Sequence, residues 1–354
     1  MDSPNEDSLA LLKELTEAHA VPGFEDEVRE IFEKKLQNEG TLGRDRLGST
    51  YCQLQKVEDE KAPRILVAGH MDEVGFRVQS INKQGYISFV PVGGWWGHTL
   101  LSQRVQVKTR SGRKILGVIT SKPPHFLSES ERKNVLPLDA MFIDLGAVDA
   151  EQVAEWGIQV GDPVAPLSSF EPSAHPQRFF AKAFDNRVGM GGAIEIGKSD
   201  FSDLNANLFT AGTVQEEVGL RGSRTLGNLL KPHFAIVLEG PPADDTPGLP
   251  LDTAQGQLGK GVQIRLHDPS AIMNQQLVDL ALKVAQEKKI PHQVTVRASG
   301  GTDAGGFQFS GEGVACIVLG VPARYIHSHT GLIDFRDYQA MLDLTEALVR
   351  AIAE

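Results

Sequence analysis

"RILVAGHMDEVGF", residues 64–76, is a near-continuous apolar run that ends in Gly69 and His70 and then turns polar. Five apolar or small residues in succession suit a strand buried on both faces, the pattern of a parallel sheet, with its carboxyl end opening onto a loop. Upstream, residues 7–20 and 24–38 carry apolar positions at three- and four-residue intervals and read as helices, broken at Pro22 and Gly23. Downstream, from about residue 76 to 170, the pattern changes to short alternating runs such as "YISFVPV", "RVQVKT" and "KILGVIT", separated by Gly, Pro and Asn. After "FFAKAFDNRVGMGGAIEIG" strand and helix patterns alternate again, through "NLFTAGTV", "FAIVLEG", a helix over 274–288, "GVACIVLG" and a final helix from about 335 to 353. The expected fold class is α/β: a mixed, largely parallel sheet flanked by helices, formed by residues 1–75 and 171–354, with an inserted all-β domain at 76–170.

A chain of 354 residues is long enough for about two domains, and a net charge of -11 disfavours nucleic acid or an anionic membrane as partner. Cys52 and Cys316 have no metal-ligand spacing and read as buried small hydrophobes. The acidic opening "MDSPNEDSLALLKEL" lacks the basic start of a signal peptide, and no run approaches a membrane span, so a cytoplasmic protein is expected.

Residues able to coordinate a metal recur at the ends of predicted strands, where open parallel sheets hold their ligands: His70, Asp185, Glu217, Glu239 and His327. Imidazole and carboxylate without thiolate suit zinc, cobalt or manganese. Five donors exceed the three that one catalytic zinc takes, and fit two metals that share a bridging carboxylate. Asp72, two residues past His70, is placed to accept the hydrogen bond from the ring nitrogen that does not hold metal. Glu216 is then left as a general base and later proton donor.

Each residue has a plainer reading. Asp185 reads equally as the cap of the following helix, the Glu216–Glu217 pair as a solvated turn, and His327 with His329 as an exposed polar turn. Asp303 in "SGGTDAGGF" reads as a helix cap before it reads as a substrate contact. Trp95 and Trp96 in "GGWWGHTLL" read as domain packing or an oligomer contact. The shared position of the five donors at strand ends favours the metal reading.

At these residues the sequence resembles the tetrahedral aminopeptidase family, which includes glutamyl and deblocking aminopeptidases and was once partly labelled endoglucanase. "GHMDEVGF", "KAFDNR", "EEVGLRG", "GGTDAG" and "RYIHS" occur in the family's order over nearly the whole chain. The resemblance implies a zinc-aminopeptidase-like fold, and two divalent metal ions per subunit bridged by Asp185. His70 and Glu239 would complete one site, Glu217 and His327 the other, with Glu216 as base. It further implies peptide substrates, a β-rich dimerisation domain near 76–170, and dimers that assemble into a dodecamer. Glu239 stands where the family commonly has Asp, and His329 where it often has Pro. The rival classes are a glycoside hydrolase with paired carboxylates, which has no need of the histidines, and a non-catalytic self-assembling scaffold.

Overall fold

The computed structural model describes residues 4–354; the acidic opening at positions 1–3 lies outside the described residues. The first helix, Glu6–Glu17, starts where the Asn5 side chain accepts from the backbone of Asp7 and buries Leu11, Leu12 and Leu15. The second, Asp26–Leu36, buries Val28, Phe32 and Leu36. Gly23 turns the chain between them at φ +86°, a conformation that glycine adopts without strain.

The stretch Arg64–His70 lies near the middle of a nine-stranded sheet. Asn207–Thr213 and Phe234–Glu239 flank it in parallel, and Ala315–Gly320 runs parallel to the latter. Thr50–Gln55 and Val262–Asp268 extend this parallel centre with antiparallel neighbours. In register, His70 lies opposite Thr213 and Glu239 opposite Gly320, so the carboxyl ends of the central strands share one edge of the sheet.

The helix Phe184–Ile196 lies against this centre and is buried almost throughout, as its apolar and glycine content requires. Its approach depends on two glycines. A Cβ on Gly69 would stand 2.5 Å from the Gly189 carbonyl carbon, and one on Gly189 would stand 2.5 Å from the Leu238 oxygen. No larger residue allows helix and strand to meet at that distance.

Residues Gly75–Pro166 contribute six strands to a closed barrel, entered only four residues after the strand that ends at His70. The barrel has a separate core that includes Phe76, Phe89, Val107, Ile119 and Ile143. Trp95 stacks on Phe76 and donates to the Gly75 carbonyl, so its role is packing; Trp96 remains exposed. The segment is not wholly β. Short helices occupy Glu129–Lys133 and Ala150–Glu155, the latter capped by Asp149.

Two further features depart from the sequence reading. Thr41–Arg44 forms the edge strand of the large sheet and Thr50–Gln55 the strand next to it, where polar side chains weaken the apolar signal. A second sheet joins Glu171–Pro172, Arg178–Ala181, Gly331–Asp334 and Ala323–Arg324. Its strands are two to four residues long, too short for a periodic signal. This small sheet brings the segment before Asp185 beside the loop that carries His327.

Candidate metal centre

His70 and Glu239 close two adjacent strands of the sheet. Asp185 lies just past Ala183, which has φ +55°, in a non-helical turn at the head of its helix. Its carboxylate therefore points away from the helix and does not cap it. Gln215, at φ +57°, reverses the chain after the strand Asn207–Thr213, and His327 sits at φ +54° between the short strands of the second sheet.

The two oxygens of Asp185 face different partners. Oδ1 lies 3.1 Å from His70 Nε2, which is 3.4 Å from Glu239 Oε1. Oδ2 lies 3.3 Å from His327 Nε2, which is 3.3 Å from Glu217 Oε2. The result is two groups of three donors with Asp185 common to both, each with its donor atoms within 4.8 Å of one another. Glu216 belongs to neither group, yet its Oε2 comes within 3.8 Å of His70 Nε2.

Such a concentration of largely desolvated carboxylates, three of them partly exposed and Glu239 buried, is unstable without positive charge. Burial and then Asp185 push Glu217 up to about 7, and burial holds Glu216 well above the ordinary carboxylate range despite His70. Burial opposes charging of His327, but Asp185 and Glu217 outweigh it and raise the imidazolium to about 11. The upward shifts of both the acids and the imidazoles mark an excess of negative charge here, which a divalent cation would offset. Two further observations fit a cation. Glu217 Oε1 and Glu239 Oε2 are buried without a hydrogen-bond partner, and the donor set is nitrogen and oxygen throughout.

Asp72 departs from expectation. His70 Nδ1 faces the Asp72 main-chain oxygen at 3.0 Å, and the carboxylate is farther, at 3.6 Å. The backbone carbonyl therefore fixes the ring, while the carboxylate accepts from the amides of Glu216 and Glu217 at 3.0 and 3.1 Å. Asp303 is also corrected: its side chain makes no cap bond, and it is buried with Oδ2 accepting from the Thr213 hydroxyl. His329 is buried beside the Trp95 ring and not exposed, and Arg324 forms a paired ion bridge with Asp245 at 2.7 Å.

A buried ionic group beside the centre was not anticipated. Glu73 accepts from Lys182 at 2.5 and 2.7 Å and from Arg187 at 3.0 Å, all three nearly inaccessible to solvent. Lys182 and Arg187 flank Asp185 in sequence, and Glu73 follows the His70 loop. The group therefore ties the two segments that supply the shared carboxylate and its first imidazole. Its signal was present in "HMDEVGF" and "KAFDNR", as charges inside otherwise buried motifs.

A mixed, centrally parallel sheet with a histidine–carboxylate centre at its strand ends defines the class of metal-dependent hydrolases that work at such an edge. A family model described as M42 glutamyl aminopeptidase matches residues 48–344, and the chain belongs to that family. The glutamyl aminopeptidase of Lactococcus lactis subsp. cremoris is 36% identical over 96% of this chain and 95% of its own. A TET aminopeptidase structure from a marine sediment Thaumarchaeota archaeon superposes with a TM-score of 0.93 at 39% identity, covering 98% of this chain and 96% of that one. A TET peptidase of Pyrococcus horikoshii, described as able to assemble into a tetrahedron or a large octahedral shell, gives 0.84 at 30% identity over 96% and 98%. The protein is a metal-dependent aminopeptidase, and so a peptide hydrolase.

Glu73→Gln leaves two buried cations facing a neutral amide. It is expected to lower unfolding free energy by about 3–5 kcal/mol, the cost typical of breaking a buried pair. Denaturant unfolding at neutral pH checks this.

Proposed function

We propose that the two donor groups hold two divalent cations, zinc first and cobalt or manganese after it, with Asp185 as the bridge, His70 and Glu239 on one side and Glu217 and His327 on the other. The carrying observation is that the two Asp185 oxygens face opposite groups. When bound, the cations supply Lewis acidity towards the scissile carbonyl and make the attacking water more acidic. Glu216 takes the proton from that water as its oxygen bonds to the carbonyl carbon. It then gives the proton to the departing nitrogen as the C–N bond breaks, and returns to its starting state. A carboxylate outside both groups, yet within 3.8 Å of a ligand nitrogen, suits that duty.

The peptide enters a cleft of about 390 Å³ lined by the centre, Pro241, Pro242, Ile326 and two arginines, Arg265 and Arg297. Each arginine is held by its own carboxylate, Asp268 at 3.2 Å and Asp244 at 2.8 Å. Each also keeps a buried Nε without a partner. Two guanidinium groups lining a substrate cleft favour an acidic first residue, the preference carried in the name of the glutamyl relative. The barrel over Gly75–Pro166 is read as a dimerisation domain, and the dimers as units of a dodecamer, in keeping with the assembling TET relative. No helix among the described residues is long and apolar enough to cross a membrane. A cytoplasmic location is part of this reading.

Chelation should abolish hydrolysis of short peptides, with activity restored by zinc, cobalt or manganese. Glu216→Gln should lower kcat by roughly 10²–10⁴ while elemental analysis still finds two metals per chain, as removal of an acid–base group predicts. Arg297→Gln should reduce kcat/KM for glutamyl substrates by about 10-fold relative to leucyl ones, the scale of one charge-assisted hydrogen bond, in a panel of aminoacyl substrates. Sedimentation velocity should find a dodecamer; a monomer would remove the assembly reading and leave the centre untouched.

A further inference from the structure

The turn that separates Glu216 from Glu217 is held from below by two buried carboxylates. Asp72 accepts from the amides of Glu216 and Glu217. Glu25, from the break between the first two helices, accepts from the preceding amide, Gln215 N, at 3.2 Å. Three successive N–H groups therefore end on two acids, across the one residue of the turn that is in the left-handed region. Glu25 occupies the N-cap position of the helix Asp26–Leu36 but makes no cap bond there. Its Oε1 instead bridges Gly23 N, at 2.7 Å, to the turn 190 residues away, and the side chain is almost fully buried.

Burial of an acid beside Asp72 is costly, so its retention in place of an apolar residue calls for a reason beyond packing. We infer that Glu25 is a positioning residue for catalysis: it fixes the Gln215 amide at the entry of the turn so that Glu216 is left free beside His70, while Asp72 holds the amide of Glu217 and keeps that ligand with Asp185 and His327. This rests on the reading of Glu216 as the base. A non-glycine residue at φ +57° relaxes unless its surroundings hold it. Without Glu25, Gln215 N loses its acceptor and the turn loosens at the residue next to Glu216. The ligands His70, Asp185, Glu239 and His327 are anchored elsewhere and stay in place.

The test compares Glu25→Ala, Glu25→Gln and Glu25→Asp in the full chain loaded with zinc. Glu25→Ala should lower kcat by about 10- to 100-fold, the scale of a misplaced catalytic group, with KM within about threefold and two metals retained. Glu25→Gln keeps an acceptor oxygen at the same reach and should recover most of the loss, whereas Glu25→Asp keeps the charge but falls a methylene short and should not. In a Glu216→Gln background, Glu25→Ala should cost little more, because both changes act through one group. A wild-type kcat in Glu25→Ala, or loss of metal in step with activity, overturns the inference. So does an Asp variant as active as the Gln variant, a comparison that still decides if Glu25→Ala does not fold. If Glu216→Gln itself turns over normally, the base reading has failed; if it is inactive while Glu25→Ala is not, only the positioning role has.

Discussion

Three carboxylates and two imidazoles meet around the Asp185 carboxylate in a partly open cleft, and the mutual repulsion of the four acids is the constraint that the surrounding structure answers. Like charges about 4 Å apart repel by roughly 4 kcal/mol at an effective dielectric near 20, so a fold that gathers several must hold each from outside the cluster. The parallel sheet supplies the first anchor, because His70 and Glu239 end neighbouring strands in fixed register. The close approach at Gly69 and Gly189 supplies the second, since it sets how near the helix behind Asp185 can come. The Glu73–Lys182–Arg187 group supplies the third, joining the His70 loop to the Asp185 segment by charge where no regular hydrogen-bond ladder connects them.

The strands that build the centre were legible because burial on both faces writes a continuous apolar run, as in "RILVAG" and "FAIVLE", and the donors follow where each run stops. The change to short alternating strands after Gly75 was legible for the same physical reason, a change of period. What stayed hidden depends on contacts between distant segments. The second sheet is made of strands too short to show a period, yet it sets Asp185 beside His327. Asp72 was placed correctly near His70 but given the wrong bond, because spacing in sequence cannot tell a main-chain carbonyl from the carboxylate two atoms beyond it. Glu25 carried no signal at all: a Glu at a helix start is ordinary, and only the folded chain turns its carboxylate to the far turn.

The positive side chains near the centre are sorted by a single rule. Lys182 and Arg187 share Glu73, Arg265 pairs with Asp268 and Arg297 with Asp244, so these four cations are already bound to acids outside the donor groups. The turn carrying Glu216 and Glu217 is held by backbone amides on Asp72 and Glu25, and the charged contacts of the two glutamates are with His70 and His327, not with Lys or Arg, among the described residues. An ion pair to either glutamate would hold it as firmly, but it would neutralise the charge that a metal ligand or a base must keep. Amide-to-carboxylate bonds fix the backbone and leave both side chains unspent. The adjacency of the two glutamates, unfavourable in a regular strand, becomes workable because the fold restrains the chain beneath them and not the carboxylates themselves.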